Sequence, residues 1–98
     1  MDMEQLMAQA RELQDKVGAA QEELGRTRVK GIADSGACIV DMTCKYDVVS
    51  IVVREDAVAR GAAYVSETVT AAVRDAKAKA DAIIDRVMGD ATAGMPMP

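Results

Sequence analysis

Apolar residues near the start of the chain fall at Met3, Leu6, Ala10, Leu13, Val17, Ala20 and Leu24, in alternating steps of three and four. That is a heptad pattern, and it predicts one long amphipathic helix. At 1.5 Å per residue such a helix runs roughly 30 to 35 Å, more than a small domain needs for its own core. Its other faces carry both signs of charge, with Glu12 four residues before Lys16 in the favourable order. Gly25 is the expected stop. From Arg26 to Glu55 the period changes to two and β-branched residues become dense, which predicts three short strands over Thr27 to Ile32, Ala37 to Lys45 and Val48 to Arg54. Asp34-Ser35-Gly36 has turn chemistry, and Tyr46-Asp47 makes a tight link, so the strands form an antiparallel meander. Asp56 can cap a short turn before Gly61. A second apolar stripe, Val65, Val69, Ala72, Ala76, Ala80, Ile83 and Val87, then predicts a long helix from about Ala62 to Met88, ended by Gly89.

The expected fold class is α+β, in the order α-β-β-β-α, with a three-stranded antiparallel meander flanked by two long helices. A single domain spans 1–89, and 90–98 is expected to form a flexible C-terminal tail, because turn formers replace the periodicity there.

Composition adds a reason to associate. The chain has 98 residues, half of them apolar, but its only aromatics are two tyrosines. A core of Ala, Val, Ile, Leu and Met without rings is thin, and a second copy would cover further apolar surface. The net charge of −4 argues against coating nucleic acid by bulk electrostatics, though not against a local basic patch. No apolar run approaches membrane-spanning length, and with two cysteines and no secretory h-region the expected location is the cytoplasm.

Candidate chemistry narrows quickly. There is no histidine, and the acidic residues are scattered on helix faces and turns without a pair that suggests a shared site, so an enzyme is not expected. Cys38 and Cys44 lie about 20 Å apart if they share one strand, and zinc partners at the usual spacing are missing. Both read as small buried hydrophobes, and neither a metal nor a cofactor is expected. Gly31-Ile32-Ala33-Asp34-Ser35-Gly36 has the glycine spacing of a phosphate loop, but Ala37 and Cys38 stand where Lys and Ser/Thr are required. The segment also joins two strands, so it reads as a hairpin turn.

Basic residues remain as the candidate functional surface: Arg11, Lys16, Arg26, Arg28, Lys30, Arg74, Lys77, Lys79 and Arg86. Arg26, Arg28 and Lys30 alternate along the first strand, which would project all three to one side, towards successive phosphates. A plain solvated strand face has the same pattern.

Several strings in order also resemble the YbaB/EbfC family of nucleoid-associated proteins: Leu6-Met7-Ala8-Gln9-Ala10, Gln21-Glu22-Glu23-Leu24, Val29-Lys30-Gly31, Ser35-Gly36-Ala37, Val69-Thr70-Ala71-Ala72-Val73-Arg74-Asp75-Ala76 and the tail Ala93-Gly94-Met95-Pro96-Met97-Pro98. The sequence departs from that pattern at Lys45-Tyr46-Asp47, which replaces an Asn-Gly hairpin, and at Arg74, where the family usually has Asn. The resemblance implies a homodimer whose sheets form a central body and whose helices project as arms, with duplex DNA held along them. It implies a role in nucleoid organisation or gene expression, and a nucleoid-associated location. The expected DNA contacts are Arg11, Lys16, Arg26, Arg28, Lys30, Lys77 and Lys79, and the expected dimer seam is Val40, Met42, Ile51 and Val53. Neither a membrane nor a small-molecule substrate is expected as a partner. The rival reading is a scaffold dimer whose arms engage a partner protein without nucleic acid.

Overall fold

A computed structural model of the chain describes residues 2–93. Helix α1 spans Met3–Arg26, followed by strand β1 at Arg28–Ala33, a 3-10 turn at Asp34–Gly36, and strands β2 at Cys38–Thr43 and β3 at Val48–Val53. A short helix α2, Glu55–Ala59, leads into the long helix α3, Ala62–Thr92. The strand order is β1-β2-β3, and both pairings are antiparallel. The α+β fold with three strands between two long helices is therefore as the hydrophobic pattern predicts.

The differences lie at element ends. Gly25 does not stop α1, which continues through Arg26 and closes when the Thr27 N–H bonds the Glu23 carbonyl. Arg26 thus belongs to the helix and not to the strand, and the expected alternation of Arg26, Arg28 and Lys30 on one strand reduces to Arg28 and Lys30. Asp56 sits inside α2 and does not cap it; the N-cap position is Arg54, whose guanidinium pairs with Asp56 at 3.1 Å. Gly89 does not end α3 either. A glycine within a helix costs about 1 kcal/mol, and the packing of Val87, Met88 and Ala91 into the core outweighs that preference. Of the expected tail, Asp90–Thr92 is helical, and Gly94 to Pro98 lie outside the described residues.

One face of the sheet carries the core. Val29, Ala33, Cys38, Val40 and Met42 are buried beneath α3, which contributes Ala72, Ala76 and Ala80. Gly31 is what lets the helix settle on β1. A Cβ there would stand 1.9 Å from the Ala72 carbonyl oxygen and 2.7 Å from the Ala76 Cβ. The glycine of the would-be phosphate loop is therefore a packing residue. The adjoining hairpin needs left-handed backbone at Asp34, Ser35 and Gly36, with φ of 51°, 58° and 97°. Outside contacts hold it: the Tyr64 hydroxyl donates to the Asp34 carboxylate, and Arg54 donates to the Ser35 carbonyl. Tyr46, also left-handed, anchors the β2–β3 link by donating its hydroxyl to Asp81 on α3.

α1 runs back alongside the C-terminal part of α3, burying Ala20 and Leu24 near Val87. The molecule measures 67 × 20 × 16 Å with a radius of gyration of 19.1 Å. A compact chain of this length has a radius near ~13 Å, so the helices carry much of the chain away from the sheet.

Candidate nucleic-acid interface

The open face of the sheet is built by alternation. In β1, Arg28, Lys30 and Ile32 point away from α3, opposite Thr43, Asp41 and Ile39 of β2. Across β2, Asp41 faces Ser50 and Ile39 faces Val52 of β3. Two cations, one carboxylate and an apolar row of Ile32, Ile39 and Val52 thus share a surface. Asp41 divides the cations' charge: its Oδ2 lies 3.6 Å from Arg28, and Lys30 is its direct cross-strand partner. Its Oδ1 is buried without a hydrogen-bond partner, so Arg28 is its charge partner on this face.

The seven expected contact residues do not converge into one patch. Arg11 lies on the exposed first half of α1, and Lys16 pairs with Glu12 at 3.3 Å. Arg26 is at the end of α1, about 22 Å along the helix from Arg11. On α3, Lys77 pairs with Asp81 at 3.1 Å and lies over the Tyr46 ring. Lys79 points elsewhere, to Asp75 at 3.0 Å and to the Lys30 carbonyl at 2.8 Å. Among the described residues, Arg11, Arg26 and Lys30 have no ion pair, whereas Lys16, Arg28, Lys77 and Lys79 do. Lys45 escaped the sequence argument. It is exposed in the β2–β3 link, without an ion pair among the described residues, and its side chain lies 3.6 Å from where a Gly25 Cβ would be. No linear motif marks it, because the contact that places it depends on the tertiary fold.

The two carboxylates paired on α3, Asp75 and Asp81, titrate low. Asp75 accepts from the Ile32 N–H at 2.9 Å, and that bond, then Lys79, holds its pKa below the ordinary value. The Tyr46 hydroxyl, then Lys77, does the same for Asp81, while the Tyr46 pKa is raised in return. Burial raises the thiol pKa values of Cys38 and Cys44, a direction opposite to that of a reactive thiolate.

The expected seam residues fall into two groups. Val40 and Met42 are buried under α3 within the chain, so their face meets a helix. Ile51 and Val53 share that face, but α3 crosses over β1 and β2, leaving Ile51 46% exposed and Val53 half-buried. Val48, Val49 and Val52 are exposed too, which makes β3 an uncharged apolar edge strand. Among the described residues no cluster of His, Cys, Asp and Glu could hold a metal, and no helix is long and apolar enough to cross a membrane.

The fold has a counterpart in the crystal structure of the uncharacterized protein HP0035 from Helicobacter pylori. The two superpose with a TM-score of 0.82 over 92% of this chain and 96% of that one, at 12% identity. A sequence model of the YbaB/EbfC DNA-binding family matches residues 1–95, which takes in both long helices, the whole sheet and every candidate cation. The chain belongs to the YbaB/EbfC DNA-binding family, a family of nucleoid-associated proteins and not a class of enzymes.

Proposed function

We propose that the protein is a homodimer that binds duplex DNA mainly through backbone phosphates and acts at the nucleoid, in its organisation or in gene regulation. The observation that carries this reading is the family match across residues 1–95. The geometry supports it in two ways. An uncharged edge strand with exposed Val48, Val49, Ile51 and Val52 is a surface that a second copy would cover by extending the sheet. Arg28 and Lys30 stand on the open face of β1, at the opposite edge, so a sheet continued antiparallel across β3 would carry them on one surface, once in each copy.

The proposed contact set is Arg11, Lys16, Arg26, Arg28, Lys30, Lys77 and Lys79, and its members differ in readiness. Arg11, Arg26 and Lys30 can meet a phosphate directly, whereas the other four must exchange a carboxylate for it. Scattered cations of this kind neutralise phosphates and release counterions without reading bases. The seam is proposed along β3, with Ile51 and Val53 as members.

A titration of the protein with two unrelated duplexes over a range of salt, with its mass followed by light scattering, tests the proposal. A dimer whose affinity falls steeply with salt and is alike for both duplexes is the expected result. Replacing Arg26, Arg28 and Lys30 together with Gln should weaken both duplexes equally. A dimer that binds neither duplex at low salt would overturn the DNA reading in favour of a protein scaffold.

A further inference from the structure

The apolar stripe of α1 changes its surroundings along its length. Ala20 and Leu24 are buried in the core with Val87 of α3, and Val17 and Leu13 are half-buried. Towards the N-terminus the stripe continues without cover among the described residues: Met3 is 75% exposed, Leu6 47% and Met7 54%, and Ala10 is exposed as well. The first turn is capped, because the Asp2 carboxylate accepts from the N–H groups of Glu4 at 2.7 Å and Gln5 at 3.2 Å. A capped, continuous helix thus presents a row of Met and Leu beyond the region that α3 covers.

We infer that this row docks on the same row of a second copy, in an antiparallel, two-fold contact between arm tips. The stripe has coiled-coil spacing, with Met3 and Ala10 in one core position of the heptad and Leu6 and Leu13 in the other. Antiparallel pairing centred on Ala8 sets Met3 against Leu13 of the other copy and Leu6 against its Ala10. The two Met7 side chains meet beside the axis. On the opposite rim the same register brings Asp2 to Lys16 of the other copy, twice by symmetry, so opposite charges face each other.

Other registers lack this match. Parallel pairing sets Asp2 beside Met7, Gln9 beside Gln14 and Lys16 beside Gln21, with no ion pair, and it places two helix N-termini side by side. Sliding the antiparallel register by one heptad towards the C-termini sets Asp2 against Glu23 and requires Ala20, which is already buried. Charge and cover together select one alignment. Its overlap of about 20 Å is short for free peptides, but each arm is already helical and anchored through Ala20 and Leu24. This contact is separate from the sheet-edge dimer proposed above. Where both form, arm pairing joins one dimer to the next, and that consequence for DNA-bound dimers rests on the proposed function.

Two variants of the full chain, Leu6→Cys and Ala10→Cys, test the register by mild oxidation, each alone and mixed. Both sites are exposed, whereas the native Cys38 and Cys44 are buried. The expected result is a cross-linked product in the mixture about tenfold above that of either variant alone, the ratio set by a preference of about 1.4 kcal/mol for this register. Self-linking of Leu6→Cys at the mixed level would mean parallel arms and would overturn the proposal, as would no cross-link in any sample. Truncation after Thr92 should leave the yield unchanged; a large rise would mean that the C-terminal segment occupies the row, and would overturn it. Repeating the mixture with Ile51→Lys and Val52→Lys in both chains separates the two contacts, because the cross-link should persist in chains unable to pair through β3. A cross-link lost with the β3 edge would mean that arm pairing does not form by itself, and would overturn it.

Discussion

Along β1, two side chains of α3 stand where a fourth strand would pair. Asp75 accepts from the Ile32 N–H, Lys79 donates to the Lys30 carbonyl, and the two are themselves an ion pair. Along β3, at the other edge, the described residues offer no such cover, and Val48 to Val53 contain neither a charge nor a proline. Natural sheets usually protect an edge with charge, proline or a covering element. One edge here is closed by the chain's own helix and the other is left apolar, so the molecule can extend its sheet in one direction only. The difference also gives Lys79 a second role. A lysine that reads in the sequence as a phosphate contact also seals a strand, and would have to leave that seal to meet DNA.

Breaking the open edge should have the largest effect. Ile51→Lys with Val52→Lys is expected to halve the mass measured by light scattering while leaving the far-ultraviolet circular dichroism unchanged, since both side chains are exposed in the single chain. An unchanged mass would remove β3 from the seam. Opening the closed edge is expected to cost stability. Gly31→Ala places a methyl group against the Ala72 carbonyl and should destabilise the fold by about 2 kcal/mol in urea unfolding. A neutral result would mean that α3 can lift off β1 without loss.

A milder opening is available through pH. The pKa values of Asp75 and Asp81 are depressed in the folded chain from an ordinary value of 3.8. Their contribution is therefore present in full above that value and is lost as pH falls through the lower folded values. The melting temperature should fall over that acid range, and Asp75→Asn should flatten the fall while making the β1 edge easier to pair. A slope identical to that of the parent would show that the seal is not electrostatic. The smallest effect is expected on the open face beside the edges. Asp41→Asn frees Arg28 from its carboxylate and removes a negative charge opposite Lys30, and should raise DNA affinity about two- to threefold at low salt, less at high salt.

Much of the architecture could be read from periodicity, because a stripe at steps of three and four or an alternation of two follows from how side chains leave a helix or a strand. The helix ends were less legible. Gly25 and Gly89 are local stop signals, and tertiary packing of Leu24, Val87 and Met88 overrode both. The site was legible as residue types and not as an arrangement. Alternation placed Arg28 and Lys30 correctly on one face, but nothing in the order of residues says that Asp41 sits between them or that Lys45 lies along Gly25.

By itself, the sequence determined the order of the two long helices and three strands and the antiparallel meander, since these depend on neighbours within a few positions. The tertiary structure decided where α3 crosses the sheet. Gly31, Ala72 and Ala76 let the helix sit on β1 and β2 but not on β3. That one placement buries Val40 and Met42, occupies Lys79, seals one edge and exposes the other. These are contacts between residues tens of positions apart, which local periodicity cannot encode.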